Sequence, residues 1–143
     1  MITAEQFNKA VKARNKKHEE NLQIQVAAYM RKKYPEVIFH SDFSSGCKLS
    51  IGQAIRNKKM QSNHKYPDMF IAEPVPGYHG LYLELKKEGT KVFKEDGLLY
   101  ANEHIKAQYD TILKLRDKGY KAEFAIGYEQ AIAVIDDYMS LVI

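Results

Sequence analysis

Apolar residues in the first quarter of the chain recur at helical spacing: Phe7, Ala10 and Val11, then Leu22, Val26, Tyr29 and Met30. Thr3 followed by Gln6 reads as a capping-box start, and Tyr34-Pro35 as a stop, because the residue before a proline is pushed out of the helical region. The polar run at residues 14–19 leaves open a division into two helices. Residues 37–40 form a short strand candidate, residues 41–50 read as a loop turning at Ser44-Ser45-Gly46, and residues 51–60 form a short Lys/Arg-rich helix. Residues 69–72 and 81–86 are the next strands, separated by the turn Pro74-Val75-Pro76-Gly77. In the second of them Leu81, Leu83 and Leu85 face one way, and Tyr82, Glu84 and Lys86 the other. That alternation predicts a half-buried strand with an unusual polar face. A charged, glycine-punctuated loop follows at residues 87–97, then an amphipathic helix over 102–118 ended by Gly119. A fourth strand over 122–126 and a last helix over 129–138 close the order. The fold class expected is an α/β sandwich, three-layer-like, with a central mixed four-stranded sheet flanked by helices.

Length and composition narrow the classes. With 143 residues, 45% hydrophobic and 28% charged, the chain is one packed domain's worth, 1–143. No apolar run approaches the ~18–20 residues of a membrane span, and the basic N-terminus has no signal-peptide core. The single cysteine, Cys47, excludes an internal disulfide or a Cys-rich zinc site. An intracellular, cytoplasmic protein follows. The net charge of +4 is unevenly placed: residues 1–65 carry 13 Lys/Arg against 5 Asp/Glu, and residues 66–143 carry 9 against 13. The basic part suits a polyanion such as nucleic acid, or is a solvated Lys-rich helix; a membrane surface fits less well.

The chemistry concentrates in two places, Pro67-Asp68 and Glu84-Leu85-Lys86. Glu84 and Lys86, two apart in a strand, lie on one face about 6–7 Å apart. If their strand pairs with the preceding one as a hairpin, Asp68 arrives beside Glu84. Two carboxylates held close repel unless a proton or cation sits between them. A hard divalent ion such as Mg²⁺ suits them, and a neighbouring lysine can contact a phosphate. Separately the motifs have ordinary readings, since Glu-x-Lys is common on solvated strands and Pro-Asp starts turns.

Together the motifs resemble those of the PD-(D/E)xK nucleases, and most of all the VRR-NUC branch. The resemblance extends through Glu20-Asn21-Leu22-Gln23, Tyr34-Pro35, Ser45-Gly46, the run from Gly80 to Lys86, Gln108, Gly119-Tyr120, Gly127 and Tyr138, and covers roughly residues 18–140. Two residues before Pro67, where that family has glycine, this chain has Lys65. The resemblance implies a restriction-endonuclease-like core and a metal-dependent DNA endonuclease. It makes Asp68, Glu84 and the Leu85 carbonyl ligands of Mg²⁺ or Mn²⁺, with Lys86 as the catalytic lysine. Glu20 would reach the site from the helix, as ligand to a second ion or through water, or else is a solvated glutamate with Glu19 as its rival. Gln108 would orient Lys86 or contact phosphate, or else is an ordinary polar helix position.

Lys48, Arg56, Lys58, Lys59 and Lys65 form the expected phosphate-contacting surface, with solubility as the competing explanation. Similar compact nucleases act as homodimers on branched DNA, and some are phage-encoded within a bacterial host. A lone domain would recognise DNA by shape and two-fold pairing. The alternatives are a non-catalytic nucleic-acid-binding module that keeps the nuclease fold and, more remotely, an acid/base hydrolase using Asp68 and Glu84.

Overall fold

The computed structural model describes residues 1–46 and 48–143, and only the backbone of Ala13, Asn15, Lys16, Lys17, Glu19 and Gly46. Cys47 and the side chain of Glu19 therefore lie outside the described residues. Among those described, the elements run α1 (Ala4–Lys33), β1 (Phe39–Ser41), α2 (Phe43–Gly46), α3 (Ile51–Lys59), β2 (Met69–Ile71), β3 (Leu81–Lys86), α4 (Glu103–Asp117), β4 (Lys121–Ile126) and α5 (Tyr128–Met139).

Helix α1 opens on the expected capping box, with the Thr3 side chain accepting from the Gln6 N–H and the Gln6 side chain accepting from the Thr3 N–H. It continues unbroken through residues 14–19, where the sequence left a division open. That run contains no Gly or Pro, and Arg, Lys and Glu are strong helix formers, so the helix needs no core there to persist. Its second half packs, with Leu22, Val26 and Met30 buried, whereas Phe7 in the first half is exposed. The 41–50 segment, read as loop, holds the one-turn helix α2, whose first turn is tied by Asp42 Oδ1 accepting from the Ser44 N–H and hydroxyl.

The strands form one mixed four-stranded sheet in the order β1-β2-β3-β4. β1 to β3 run antiparallel, and β4 joins β3 in parallel through the crossover helix α4. Leu81, Leu83 and Leu85 point into the main core with Leu22, Val26, Met30, Ala131, Ile135 and Tyr138 from α1 and α5. On the opposite face Tyr82 packs with Ile112 and Ala122 under α4. The result is helix, sheet, helix, the three-layer arrangement expected. β3 itself departs from expectation, because all six of its residues are buried and not only the leucines. A strand in the middle of a sheet covered on both faces has no solvated side. No described helix is long and apolar enough to cross a membrane.

Two glycines are fixed by close approach. A Cβ at Gly80 would stand 2.8 Å from the Phe70 ring and 3.0 Å from the Ile71 carbonyl. Gly119, at φ +93°, lies under the His79 ring and turns the chain from α4 into β4.

Candidate active site

The β2–β3 register brings the two carboxylates together. Met69 pairs with Leu83, so one antiparallel step further places Asp68 opposite Glu84. Asp68 Oδ2 accepts from the Leu85 N–H at 2.7 Å, which fastens the carboxylate to the strand that bears its partner. Glu84 Oε1 accepts from Gln108 Nε2 of α4 at 2.8 Å. Asp68, Glu84 and Lys86 are 8%, 4% and 6% exposed. At that burial the solvated-strand explanation of Glu-x-Lys fails, since ionisable groups are seldom buried unless partnered or put to use.

These residues floor an open cleft of about 660 Å³. Its far wall is the segment after α3, including Gln61, His64, Lys65 and Tyr66, with Lys58 from α3 itself; Gln23, Ser44 and Ser45 close another side. Gln23 is buried in α1 and ties that helix to the site. Its Nε2 donates to the Asp42 carbonyl at 2.8 Å, to Ser45 Oγ at 3.2 Å and, more weakly, toward the Asp68 carbonyl at 3.5 Å. The Asp68 carbonyl also accepts from the Asp42 N–H at 2.7 Å, so the Asp68 backbone is held from two directions. Behind Tyr66 lies an aromatic stack: Tyr66 meets Tyr82 edge-on and Tyr82 stacks on Phe70, and burial pushes the Tyr82 hydroxyl pKa well up.

Asp68, Glu84, Leu85, Lys86 and Gln108 are thus gathered as expected. Glu20 is not among them. It lines a separate recess with Gln23, Ile24, Ala27, Ser41 and Phe43, and Gln23, one turn further along, is the α1 residue that faces the cleft. Of the basic set, Lys58 and Lys65 border the cleft. Arg56 lies on the other side of α3 beside Leu49 and Met60, and Lys48 and Lys59 are exposed and do not line the cleft.

His104 escaped the sequence reading. It stands in the first turn of α4 and lines the cleft, with its Nε2 3.2 Å from Gln108 Nε2. Its place four residues before Gln108, on the same helical face, was the available signal. Burial lowers its pKa, and the Lys86 and Lys65 charges lower it further against the upward pull of Asp68, so the ring is neutral at pH 7.

The donor set can be tested for a divalent ion. Asp68 and Glu84 offer hard carboxylate oxygens in one buried place, flanking the backbone of Leu85. Among the described residues no three or more His, Cys, Asp or Glu are placed together so as to hold a metal ion. An ion here would have few protein ligands and keep several waters, which suits Mg²⁺ or Mn²⁺ and not zinc. Gln108 Oε1, buried without a hydrogen-bond partner among the described residues, leaves polar capacity unspent next to Glu84.

A mixed sheet between helix layers, with an acid just before one strand beside Glu-Leu-Lys on the next, suits a nuclease-type α/β domain. A solved structure described as a VRR_NUC domain protein matches the chain at 27% identity and a TM-score of 0.63, over 87% of this chain and 89% of that one. No family model and no curated protein matches. This likeness supports a VRR-NUC domain in the chain.

Proposed function

We propose that the chain is a DNA endonuclease dependent on Mg²⁺ or Mn²⁺, cutting branched DNA as a homodimer. The observation that carries the nuclease reading is the pair of buried carboxylates, Asp68 and Glu84, beside the buried Lys86 at the floor of an open cleft. Asp68, Glu84 and the Leu85 carbonyl would hold the ion, which when bound supplies a Lewis acid for the phosphoryl oxygen and an acidified water. Lys86 meets the scissile phosphate and offsets the charge that develops on it. Gln108 fixes Glu84, and the Leu85 N–H fixes Asp68, so neither carboxylate has to be ordered when substrate arrives. Lys58 and Lys65 attract and seat the flanking phosphates. Glu20, facing its own recess, takes no part.

The homodimer draws support from α3. This nine-residue helix buries none of its residues and exposes Ile51 and Ile55 one turn apart. A helix that short is marginal in water unless something packs on it, and a second copy would do so. Branched DNA as the substrate rests on the family resemblance.

A panel of labelled duplex, single-stranded, flap and four-way-junction DNA, incubated with Mg²⁺, Mn²⁺ or Ca²⁺, tests the proposal. The expected result is cutting of the flap or junction with Mg²⁺ or Mn²⁺ only. Tight binding without cutting in any metal would instead make the chain a non-catalytic DNA-binding module.

A further inference from the structure

The Gln108 amide turns its nitrogen toward Glu84 and donates to Glu84 Oε1 at 2.8 Å. The same nitrogen lies 3.2 Å from His104 Nε2. An amide NH₂ only donates, hence the ring atom facing it must carry a lone pair, which places the imidazole proton on Nδ1. Both amide hydrogens are then used, one on Glu84 and one on His104. We propose that His104 is a positioning residue for the nuclease reaction: its Nε2 lone pair holds the Gln108 amide in the one orientation that donates to Glu84. The proposal rests on the nuclease reading of the site.

A proton on His104 Nε2 would set donor against donor. The relief available is rotation of the Gln108 amide, which brings its oxygen to the ring and takes the donor away from Glu84. Gln108 Oε1 has no partner among the described residues that would resist this turn. The charges facing the ring are Lys86 from β3, Lys65 from the segment before β2, and Asp68, with Glu84 beyond the amide. The two lysines oppose protonation, and Asp68 favours it. As His104 is lowered from its ordinary value of 6.5, the ring keeps its lone pair at neutral pH and gains a proton only below that value. His104 is exposed on its outer side, so solvent protons reach it and substitution there leaves the core untouched.

Three readouts test this on the full chain with His104→Ala and His104→Gln, the second restoring an uncharged acceptor of similar reach. In metal-free protein, the Gln108 side-chain NH₂ resonances of the wild type should titrate together with the His104 ring, and in His104→Gln they should stay constant over that range. Calorimetry with Mn²⁺ alone should show affinity reduced about tenfold in His104→Ala and largely restored in His104→Gln, as for other partners that orient a metal ligand. The acid limb of the cleavage rate should follow His104 in the wild type and move to lower pH in His104→Gln. Gln108 resonances indifferent to His104 ionisation, or equal impairment of the two variants, would overturn the proposal. A wild type that cuts nothing would sink the nuclease reading, while the metal-free titration still decides whether His104 and Gln108 are coupled.

Discussion

Two acidic centres in this molecule are built on opposite terms. Asp136, on α5, accepts from the Tyr29 and Tyr34 hydroxyls at 2.7 and 2.6 Å and pairs with Lys33 at 3.1 Å. Burial pushes its pKa up, but those three donors outweigh burial and hold it below the ordinary carboxylate range. The cost falls on its partners: burial and then the Asp136 bond push the Tyr34 hydroxyl up to about 12. One carboxylate with three donors, at the edge of a helix pair, is a fastening. Asp68 and Glu84 are more deeply buried and lie side by side, opening onto a cleft. The lesson is one of supply and demand. Asp136 with its three donors serves the fold, whereas two acids crowded together under a cleft mark a candidate functional site.

Lys86→Ala is expected to have the largest effect on the cleft centre. Single-turnover cleavage of a branched substrate should fall by about a hundredfold or more, as when a single charge-stabilising donor is removed. Binding measured in Ca²⁺ should change little, since one cation among many is removed. Lys86→Arg should not restore the rate, because a forked, permanently charged guanidinium is bulkier and cannot take a proton. A wild-type rate in Lys86→Ala would refute the assignment.

Asp136→Ala should do the reverse. Three donors lose their acceptor, and unfolding in urea should show a loss of about 1–3 kcal/mol, with the cleavage rate per folded molecule unchanged. Because Asp136 has a lowered folded pKa, its contribution is present above the ordinary value of 3.8 and disappears as pH falls through the lower one. The stability gap between wild type and variant should therefore be full at neutral pH and close in strong acid. A gap that persists in acid would mean that the ionised carboxylate is not what fastens α1 to α5.

The smallest effect concerns the cleft border. Replacing Lys58 and Lys65 with Gln should flatten the slope of log K for DNA against log salt by about 2, near one for each phosphate that is no longer neutralised. The same change at Lys48 and Lys59, which do not line the cleft, should move the slope less. Equal changes for the two pairs would mean that charge, and not the cleft, guides binding.

Much of this was legible in the sequence because it is local. Period-two leucines, a hairpin-length spacer and an acid at each end dictate the β2–β3 register, and the register dictates that Asp68 meets Glu84. The cap at Thr3 and the stop at Tyr34-Pro35 are likewise local. What escaped depends on distant parts of the chain. That Glu84 and Lys86 are buried follows from α4 covering the second face of the sheet, which no pattern within residues 81–86 announces. Whether Glu20 or Gln23 faces the cleft turns on the rotation of α1 about its axis. Only the packing of Leu22, Val26 and Met30 sets that rotation. Arg56 and Lys58 differ by two residues and point to different sides of α3. His104 acquires its meaning through Gln108, and so only after Gln108 is known to reach Glu84.

The central claim is that Asp68 and Glu84 form a cation site and Asp136 does not. Calorimetric titration with Mn²⁺ of the wild type, Asp68→Asn and Asp136→Asn tests it most directly. Asn at 68 keeps an oxygen for the Leu85 N–H while removing the charge, so the fold should survive, with thermal stability equal or raised. Saturable binding is expected in the wild type, with the same affinity in Asp136→Asn and affinity reduced at least about tenfold in Asp68→Asn. Undiminished Mn²⁺ affinity in Asp68→Asn would contradict the claim.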